Sequence, residues 1–322
     1  MNVRFLDDAK RRRHRLRNLM QSALLLGGMI GLLSLCVWVV FGPEGALWAL
    51  GGWVVALLLS PRASPTLVLR LYRGRRLTPR DFPQGFAILE KLARRAELDY
   101  MPSFWYLPSP ILNAFTLGRR GNAAVAVTDG MINALNVREF AGALAHELSH
   151  IRNNDVWVMG LADSIGRLTN VMTLAGGILL AVNLPLLLIG RVQFSWLLVI
   201  LLLVAPTVAN ILQMGLSRAR EYDADIEAAE LTGDPAGLAS ALRKLEMHQA
   251  GLWERILLPG RGLPEPSLLR SHPPTEERID KLLSLYTPED VAGLDVADTF
   301  GLGGRIGPIP PRPRWRITGL WH

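Results

Sequence analysis

Cysteine is nearly absent from this sequence, and charge is scarce. Cys36 is the single cysteine among 322 residues, so no disulfide can form within the chain, as is typical of a reducing compartment. Charged residues make up only 20% of the chain, whereas half of its residues are hydrophobic and the mean hydropathy is +0.23. A soluble enzyme of this length usually has a mean hydropathy below zero. The composition therefore argues against an ordinary soluble enzyme.

Four long segments are almost free of charge, and their lengths predict membrane helices. Glu44 alone separates the first two segments, and Arg191 alone separates the last two. The first is long enough to cross a hydrocarbon core of about 30 Å as a helix, whereas the second is short for a crossing. The last two could instead form a buried hairpin, or one that enters the membrane without crossing it. The four segments are residues 18–43, 45–61, 168–190 and 192–217.

The basic residues lie beside these segments and predict an orientation in the lipid bilayer. Residues 1–17 contain seven arginines and lysines, and residues 62–76 contain five arginines, whereas the loops inside the two hairpins contain only Arg191. Cytoplasmic loops are enriched in basic residues, so both chain ends and the intervening domain are predicted to be cytoplasmic. The first segment is too long for a cleaved signal peptide. Although the net charge is +7, this distribution argues against a nucleic-acid partner.

The more polar parts of the chain predict an α+β fold that is mainly α. One helix is predicted to open with an acidic cap at Asp81 and Pro83 in its first turn, and to end near Leu98. A longer helix is predicted from a capping box at Asn136 to about Gly166. Short strands are also predicted, the last two forming a hairpin. They are residues 103–107, 112–118 and 122–130.

The sequence AHELSH places two histidines and a glutamate on that longer helix. His146 and His150 are four residues apart and share a helix face, so both imidazoles can bind one zinc ion. Glu147 flanks the ion rather than binding it. It can accept a proton from a water that the ion activates and pass the proton to the leaving amine. The pattern therefore predicts peptide hydrolysis.

The segment SRAREYDAD is the candidate source of the third protein ligand that a catalytic zinc site needs. Glu221 and Asp225 are four residues apart on a predicted helix. Glu221 could bind zinc, and Asp225 could accept the outer N–H of a histidine and fix its tautomer. Both could equally belong to a solvated acidic face, because Asp223, Glu227 and Glu230 lie nearby. The spacing does not choose between these interpretations.

Several segments together resemble a known family. HELSH followed by E-x-x-x-D resembles the gluzincin pattern of zinc metallopeptidases. With NAFTLG, VAVTDGMINAL, REFAGALAHELSHIRNND, SRAREYDAD and SHPPTEERI, the chain resembles the HtpX family of membrane-bound heat-shock proteases. The resemblance covers roughly residues 20–290, including two apolar spans before the protease and two between its motifs. The basic N-terminal stretch and the C-terminal tail are less typical of the family.

The resemblance implies a cytosolic gluzincin-like zinc metallopeptidase domain held by about four transmembrane helices. It assigns His146, His150 and Glu221 as ligands of one Zn²⁺ per chain and Glu147 as the catalytic base. The implied substrates are misfolded or unassembled membrane proteins, which would be cut on the cytoplasmic side of the inner membrane. The implied role is protein quality control during stress.

Three further residues are candidates with an ordinary structural alternative. In gluzincins an Asn-Ala pair at a sheet edge contacts the substrate backbone, so Asn113 and Ala114 could bind substrate here by strand addition. The alternative is an ordinary strand whose Asn makes a turn contact. His272 could donate to the developing oxyanion or occupy the open zinc position, although a lone histidine is usually structural.

The sequence does not decide the roles of four charged residues. Asp155 could be a surface charge or the partner of a histidine. Three arginines could contact the oxyanion, a carboxylate or a phosphate headgroup, or form plain ion pairs. They are Arg218, Arg220 and Arg278.

The sequence therefore predicts a membrane-embedded zinc endopeptidase. One alternative is a dedicated processing enzyme of the CAAX prenyl protease type, which four spans disfavour because those enzymes have more. Another is a membrane receptor or scaffold with a structural metal, in which Glu147 would be idle. The tail, 291–322, is rich in glycine, proline and arginine, and 300–322 is predicted to be extended or disordered. The predicted regions before it are 1–17, hairpin 18–61, protease part 62–167, hairpin 168–214 and protease part 215–290.

Overall fold

The fold is mainly helical with one small mixed sheet, which confirms the predicted class. The computed structural model describes residues 8–59, 64–191, 195–256, 275–284 and 306–307. The helices in these ranges are α1 (Asp8–Leu59), α2 (Pro65–Leu71), α3 (Pro83–Arg95), α4 (Asp129–Ala134), α5 (Val137–Arg152), α6 (Asp155–Leu188), α7 (Trp196–Thr232), α8 (Pro235–Ile256) and α9 (Thr275–Leu283). The strands are β1 (Arg75–Arg76), β2 (Ser103–Leu107), β3 (Ala114–Arg119) and β4 (Asn122–Thr128).

Three helices in the described part of the chain are long and apolar enough to cross a membrane. They are Leu19–Gly45 within α1, and the whole of α6 and α7. The second predicted segment, 45–61, continues α1 to Leu59 beyond a kink at Gly42, where φ is +69°, and its crossing stays a prediction. Many leucines, isoleucines and valines on these helices are exposed, as lipid contact requires.

The membrane helices pack against one another around their own apolar core. Met29 and Leu33 of α1 are fully buried there, together with Ile165 of α6 and Leu202 of α7. The approach of α6 to α7 is close, because a Cβ added at Gly176 would lie 2.8 Å from Cβ of Leu202. The two helices that lead to the protease motifs therefore form one packed unit.

The sheet has the strand order β1-β2-β4-β3, so β3 is an edge strand. β3 and β4 pair antiparallel with Arg119 opposite Asn122, which confirms the predicted hairpin, while β2 pairs parallel with β4. Val125 and Val127 on one face of β4 join the main core with α3 and α5. Ala124 on the other face packs with Leu69 of α2.

Helix α5 carries the HELSH motif and is anchored by its N-terminus. The capping box is confirmed: Glu139 N donates to Asn136 Oδ1 at 3.0 Å, and Asn136 N donates to Glu139 Oε2 at 2.8 Å. The predicted end near Gly166 was wrong, because the helix ends at Arg152. Asn154 adopts the left-handed conformation (φ 57°), which asparagine tolerates well, and a new helix begins immediately after it.

Helix α3 and the tail also differ from expectation. Pro83 does open α3, but the Asp81 carboxylate accepts from the backbone N and hydroxyl of Thr78 and does not cap the helix. The helix ends at Arg95, before Leu98. In the tail, Ile306 is buried against the main core and Gly307 N donates to Gln84 Oε1 at 2.9 Å, so this point of the predicted disordered segment is docked on α3.

Candidate metal centre

Two helices bring three potential metal ligands together. His146 and His150 lie one turn apart on α5, with their Nε2 atoms 3.2 Å apart. Glu221 approaches from α7, with Oε2 3.4 Å from Nε2 of His146 and Oε1 3.8 Å from Nε2 of His150. One ligand atom from each of the three lies within 4.8 Å of the others. The spacing of a divalent-ion site is therefore present between α5 and α7.

The donor set fits zinc. Zn²⁺ prefers imidazole nitrogen and carboxylate oxygen at about 2.0–2.2 Å in a tetrahedral arrangement. Two nitrogens at that distance from a tetrahedral ion lie about 3.3 Å apart, close to the 3.2 Å between the two Nε2 atoms. Within the described residues the group supplies three protein donors, which leaves a fourth tetrahedral position. Three ligands and an open position are the composition of catalytic zinc sites.

Each histidine has a carboxylate on its outer nitrogen. Nδ1 of His150 lies 2.9 Å from Oδ2 of Asp155 at the start of α6, within hydrogen-bond distance. Nδ1 of His146 lies 3.1 Å from Oδ1 of Asp225, as an ion-pair contact without hydrogen-bond alignment. A carboxylate beside Nδ1 favours the tautomer whose proton is on that nitrogen. The lone pairs on Nε2 are then free to face the centre.

Two arginines, one of them buried, hold these carboxylates in place. Arg278 on α9 donates to both oxygens of Asp225, from Nε at 2.7 Å and from Nη2 at 2.6 Å, and its Nη1 lies 3.3 Å from Glu221 Oε2. Arg220 on α7 donates to Asp155 Oδ1 at 3.0 Å. Burial disfavours the charge of Arg278, but the nearby carboxylates raise its pKa above the usual arginine range. The guanidinium groups are thus fixed cations that orient the carboxylates.

The charges around the site leave a negative excess. Four carboxylates outnumber two guanidinium groups by two, while the imidazoles are neutral when they act as ligands. This excess matches the charge of a divalent cation. The carboxylates belong to Glu147, Asp155, Glu221 and Asp225, and the guanidinium groups to Arg220 and Arg278.

The carboxylates also change the proton affinity of the imidazoles. Burial disfavours protonated His146, but Asp225 and Glu221 outweigh this and raise its pKa to about 10. Burial likewise opposes protonation of His150, whereas the contact with Asp155 raises its pKa. A metal and a proton therefore compete for the same nitrogens.

Glu147 lies beside the three ligands and faces the sheet edge. Its side chain is half-buried, and its Oε2 accepts a hydrogen bond from Thr116 Oγ1 at 2.9 Å. Thr116 belongs to the edge strand β3, and its hydroxyl lies 3.2 Å from the main-chain oxygen of Glu147 as well. The carboxylate is thereby held between α5 and the outer edge of the sheet.

The two residues predicted to bind substrate lie at the start of that edge. Asn113 O accepts from Thr128 N at 3.0 Å, and Asn113 N donates to Thr128 Oγ1 at 3.0 Å, so its main chain faces β4. Main-chain groups alternate between the two sides of an antiparallel strand. The N–H and C=O groups of Ala114 and Thr116 therefore point away from β4, toward the open edge.

Comparison with known proteins identifies the family. The profile described as Peptidase family M48 matches residues 79–286, more than half of the chain. This chain belongs to peptidase family M48. Three proteins, each named Protease HtpX homolog, are similar over most of its length. They come from Methylibium petroleiphilum (34% identity, 83% of this chain and 98% of the relative), Desulforapulum autotrophicum (33%, 82% and 89%) and Persephonella marina (35%, 82% and 96%).

The chain is therefore an HtpX-like M48 membrane metalloprotease. Among solved structures it is similar to S. mikatae Ste24p, with a TM-score of 0.44 and 17% identity over 84% of this chain and 66% of that one. The family match covers strands β2 to β4, the HELSH helix α5, the helix α7 with Glu221, and α9 with Arg278, whereas β1 lies before its first residue. All the residues around the candidate centre lie inside the matched region.

Some residues at the candidate metal centre were not predicted from the sequence. His272 lies outside the described residues. Of the two roles left open for Asp155, the structure shows the histidine partner. Thr116 also contacts the site, although no motif singled it out. The Asn153-Asn154 pair is typical of a helix end. It therefore indicates that the chain changes direction before Asp155, which brings this residue back toward His150. Nothing in the local sequence marks Thr116.

Proposed function

We propose that this M48 metalloprotease is a zinc-dependent endopeptidase that cuts misfolded or unassembled membrane proteins in their cytoplasmic segments. The observation that carries the proposal is the convergence of His146, His150 and Glu221, with Glu147 beside them and held toward an open strand edge. The similarity to proteins named Protease HtpX homolog supports the same activity. The quality-control role rests on the resemblance of the sequence motifs to membrane-bound heat-shock proteases.

The residues of the chain have separate tasks in this reaction. His146, His150 and Glu221 would hold the ion. When bound, zinc supplies a Lewis acid that polarises the peptide carbonyl and lowers the pKa of water toward neutrality. Glu147 accepts a proton from the attacking water and delivers it to the leaving amine, which requires the carboxylate to stay within hydrogen-bond reach of both. The hydroxyl of Thr116 keeps it there.

The edge strand supports a way of binding unfolded chains without sequence preference. An extended peptide can add to β3 through main-chain hydrogen bonds to Ala114 and Thr116, with Asn113 contacting it at the end of the strand. A peptide on that edge lies next to Glu147, because Thr116 is hydrogen-bonded to the glutamate. Such binding demands an extended segment, so folded proteins are poor substrates.

The alternatives have less support. A structural metal would need four protein donors, whereas the group in the described residues supplies three. A receptor or scaffold also gives no reason for a carboxylate hydrogen-bonded beside the ligands. A dedicated processing protease of the CAAX prenyl protease type uses the same chemistry, but those enzymes have more spans than the four predicted here.

The decisive experiment measures zinc content and casein cleavage on the purified full-length protein. Glu147→Gln should keep zinc and lose about 10²- to 10⁴-fold of the cleavage rate, because it removes the proton acceptor alone. Glu221→Ala should lose both zinc and activity. Glu246→Gln on the exposed surface of α8 is the matched control and should behave as wild type. Cleavage of casein by Glu147→Gln at the wild-type rate would refute the mechanism. A wild-type protein that binds zinc but does not cleave casein would favour the scaffold alternative.

The cytoplasmic orientation is tested separately. In a background with Cys36 replaced, single cysteines are placed at Arg120, in the exposed hairpin turn, and at Arg191, between α6 and α7. A membrane-impermeant thiol reagent added to intact cells should label the second site alone, and both sites should react after lysis. The reverse labelling pattern would mean that the active site faces outward.

A further inference from the structure

Helix α2 has an apolar face where a water-exposed helix would carry polar residues. Pro65 and Leu69 are buried against the sheet. Leu67 and Leu71 share the opposite face, since residues four apart align on a helix, and they are 59% and 76% exposed. Tyr72, at the end of the helix, is 39% exposed. Both faces of this short helix are therefore apolar, and the outer one has no protein neighbour covering it within the described residues.

Five arginines lie on α2 and in the segment that follows it. None of their guanidinium groups forms an ion pair with a carboxylate in the described part of the chain, although all lie within eleven residues. Arg73 holds the left-handed conformation (φ 58°) and Gly74 N donates to Leu69 O at 2.7 Å, so the chain turns sharply and returns alongside α2. The group consists of Arg70, Arg73, Arg75, Arg76 and Arg80.

Three of these arginines line a cleft of about 660 Å³ around the β1 edge of the sheet. Arg70, Arg75 and Arg76 contribute to it together with Thr78 and Trp105, and the described residues of its lining include no carboxylate. The Nε atom of Arg75 is buried without a hydrogen-bond partner in the described chain, while its guanidinium lies 5.7 Å from the centre of the Tyr106 ring. A buried guanidinium N–H without an acceptor among the described residues is a donor that a bound anion or a water can satisfy.

The predicted second crossing, 45–61, together with the short chain that follows it, places the cleft close to the membrane. Five residues lie between Leu59, where α1 ends, and Pro65, where α2 begins, so the two are six residue steps apart. Six residues reach at most about 22 Å when fully extended. The exposed leucines and tyrosine of α2 therefore lie within reach of the bilayer that α1 enters, and an apolar face beside a basic cluster is the arrangement of a helix lying in the membrane interface.

We infer that this cleft binds the phosphate of an anionic phospholipid in the leaflet next to the protease domain. Arg70, Arg75 and Arg76 supply paired N–H donors that match phosphate oxygens, while Leu67 and Leu71 contact the acyl chains. The lipid would tie the β1 edge of the sheet to the bilayer, on the side of the sheet away from β3. The inference concerns membrane attachment and does not depend on the zinc chemistry.

The test measures lipid affinity on the full-length protein in detergent. Native mass spectrometry titrates the protein with dioleoyl phosphatidylglycerol and, separately, with dioleoyl phosphatidylcholine. The anionic lipid should bind more tightly, and the double variant Arg70→Gln/Arg76→Gln should lose about fivefold of its affinity per arginine, or roughly thirtyfold in all. Affinity for phosphatidylcholine should be unchanged. Both arginine side chains are exposed, and unaltered helicity by circular dichroism checks that the variant folds.

The matched control removes two exposed arginines elsewhere, as Arg94→Gln/Arg243→Gln, and should bind phosphatidylglycerol as wild type does. Equal affinity of the wild type for the two lipids, or equal losses in both double variants, would overturn the inference. An excess of inorganic phosphate distinguishes the two sources of the same chemistry. Displacement of the lipid by phosphate would mean a site for free phosphate instead, whereas persistence of the lipid supports the assignment.

Discussion

Asp155→Asn tests the support of the metal centre without touching a proposed ligand. The Asp155 side chain is 3% exposed and lies between two cationic or N–H groups, at 2.9 Å from His150 Nδ1 and 3.0 Å from Arg220 Nη1. Asparagine keeps the shape but removes the charge, and one of its two head atoms becomes a donor. It can accept from only one of the two neighbours, so either the histidine or the arginine loses its acceptor.

The expected effect is on zinc affinity rather than on the chemical step. Loss of the outer partner of a histidine ligand typically costs about 10- to 100-fold in metal affinity, which corresponds to about 1.4–2.7 kcal/mol. The cause is that His150 no longer has its ring orientation and tautomer fixed. Because Glu147 is unchanged, saturating zinc should restore most of the casein cleavage rate.

The assay titrates metal-free protein with zinc from a chelator-buffered series and follows cleavage of labelled casein at each free zinc concentration. Asp163→Asn is the matched control, because Asp163 lies on the same helix in an exposed ion pair with Arg167. Surface ion pairs contribute little, so this variant should titrate as wild type. A thermal unfolding curve at saturating zinc separates loss of affinity from loss of the fold.

Two results would refute this reasoning. One is a zinc titration of Asp155→Asn that coincides with the wild type, which would mean that the contact with His150 does not orient a ligand. The other is an equal shift in Asp163→Asn, which would attribute the effect to the charge of α6 in general. A loss of cleavage that saturating zinc does not restore would place Asp155 in the chemical step instead.

Two further predictions concern the glutamates of α5. Thr116→Val removes the hydroxyl that donates to Glu147, and it should lower kcat about tenfold with zinc content unchanged. Thr116→Ser keeps the hydroxyl and should retain activity. A wild-type kcat for the valine variant would contradict the positioning role of Thr116. Burial opposes ionisation of Glu139, but the contact with Lys244 outweighs burial and lowers the pKa of Glu139. The ionised carboxylate therefore stabilises the fold at pH values above the ordinary glutamate pKa of about 4.3. This stabilisation is lost in stronger acid, where Glu139 becomes protonated. Glu139→Gln should therefore lower Tm at pH 7. If the difference in Tm between the variant and the wild type does not become smaller in acid, the assigned role of the Glu139 carboxylate is wrong.

The sequence predicts the local parts of this protein well, because their signals are local. The capping box at Asn136, the hairpin after Asn113 and the i, i+4 pair of His146 and His150 each depend on fewer than about twenty neighbouring residues. Glu221 could be proposed as a partner only because the resemblance linked two distant motifs. Spacing alone could not distinguish it from a surface acid.

The position of Asp155 shows why a small error in helix length hides a contact. On a continuous helix, five residues past His150, it would point about 140° away from the imidazole. The helix instead ends at Arg152, and the left-handed residue Asn154 turns the chain so that Asp155 faces back toward His150. Arg278 could not be chosen from three candidate arginines for a different reason. Its contact with Asp225 joins two residues that are 53 positions apart in the chain, and such pairs leave no local pattern.

The membrane helices form part of the framework of the active site. Helix α7 runs from its packed contact with α6 at Leu202, past Pro206 within the helix, to Glu221, 19 residues later. At 1.5 Å per residue this is about 28 Å, so a tilt of about 5° at the membrane end would move the carboxylate by about 2.5 Å. Metal–ligand distances in a well-formed zinc site lie within about 0.2 Å of their usual values. The geometry around His146 and His150 therefore depends on how α6 and α7 pack within the bilayer, and a fragment without 168–214 would lack the element that sets the third ligand.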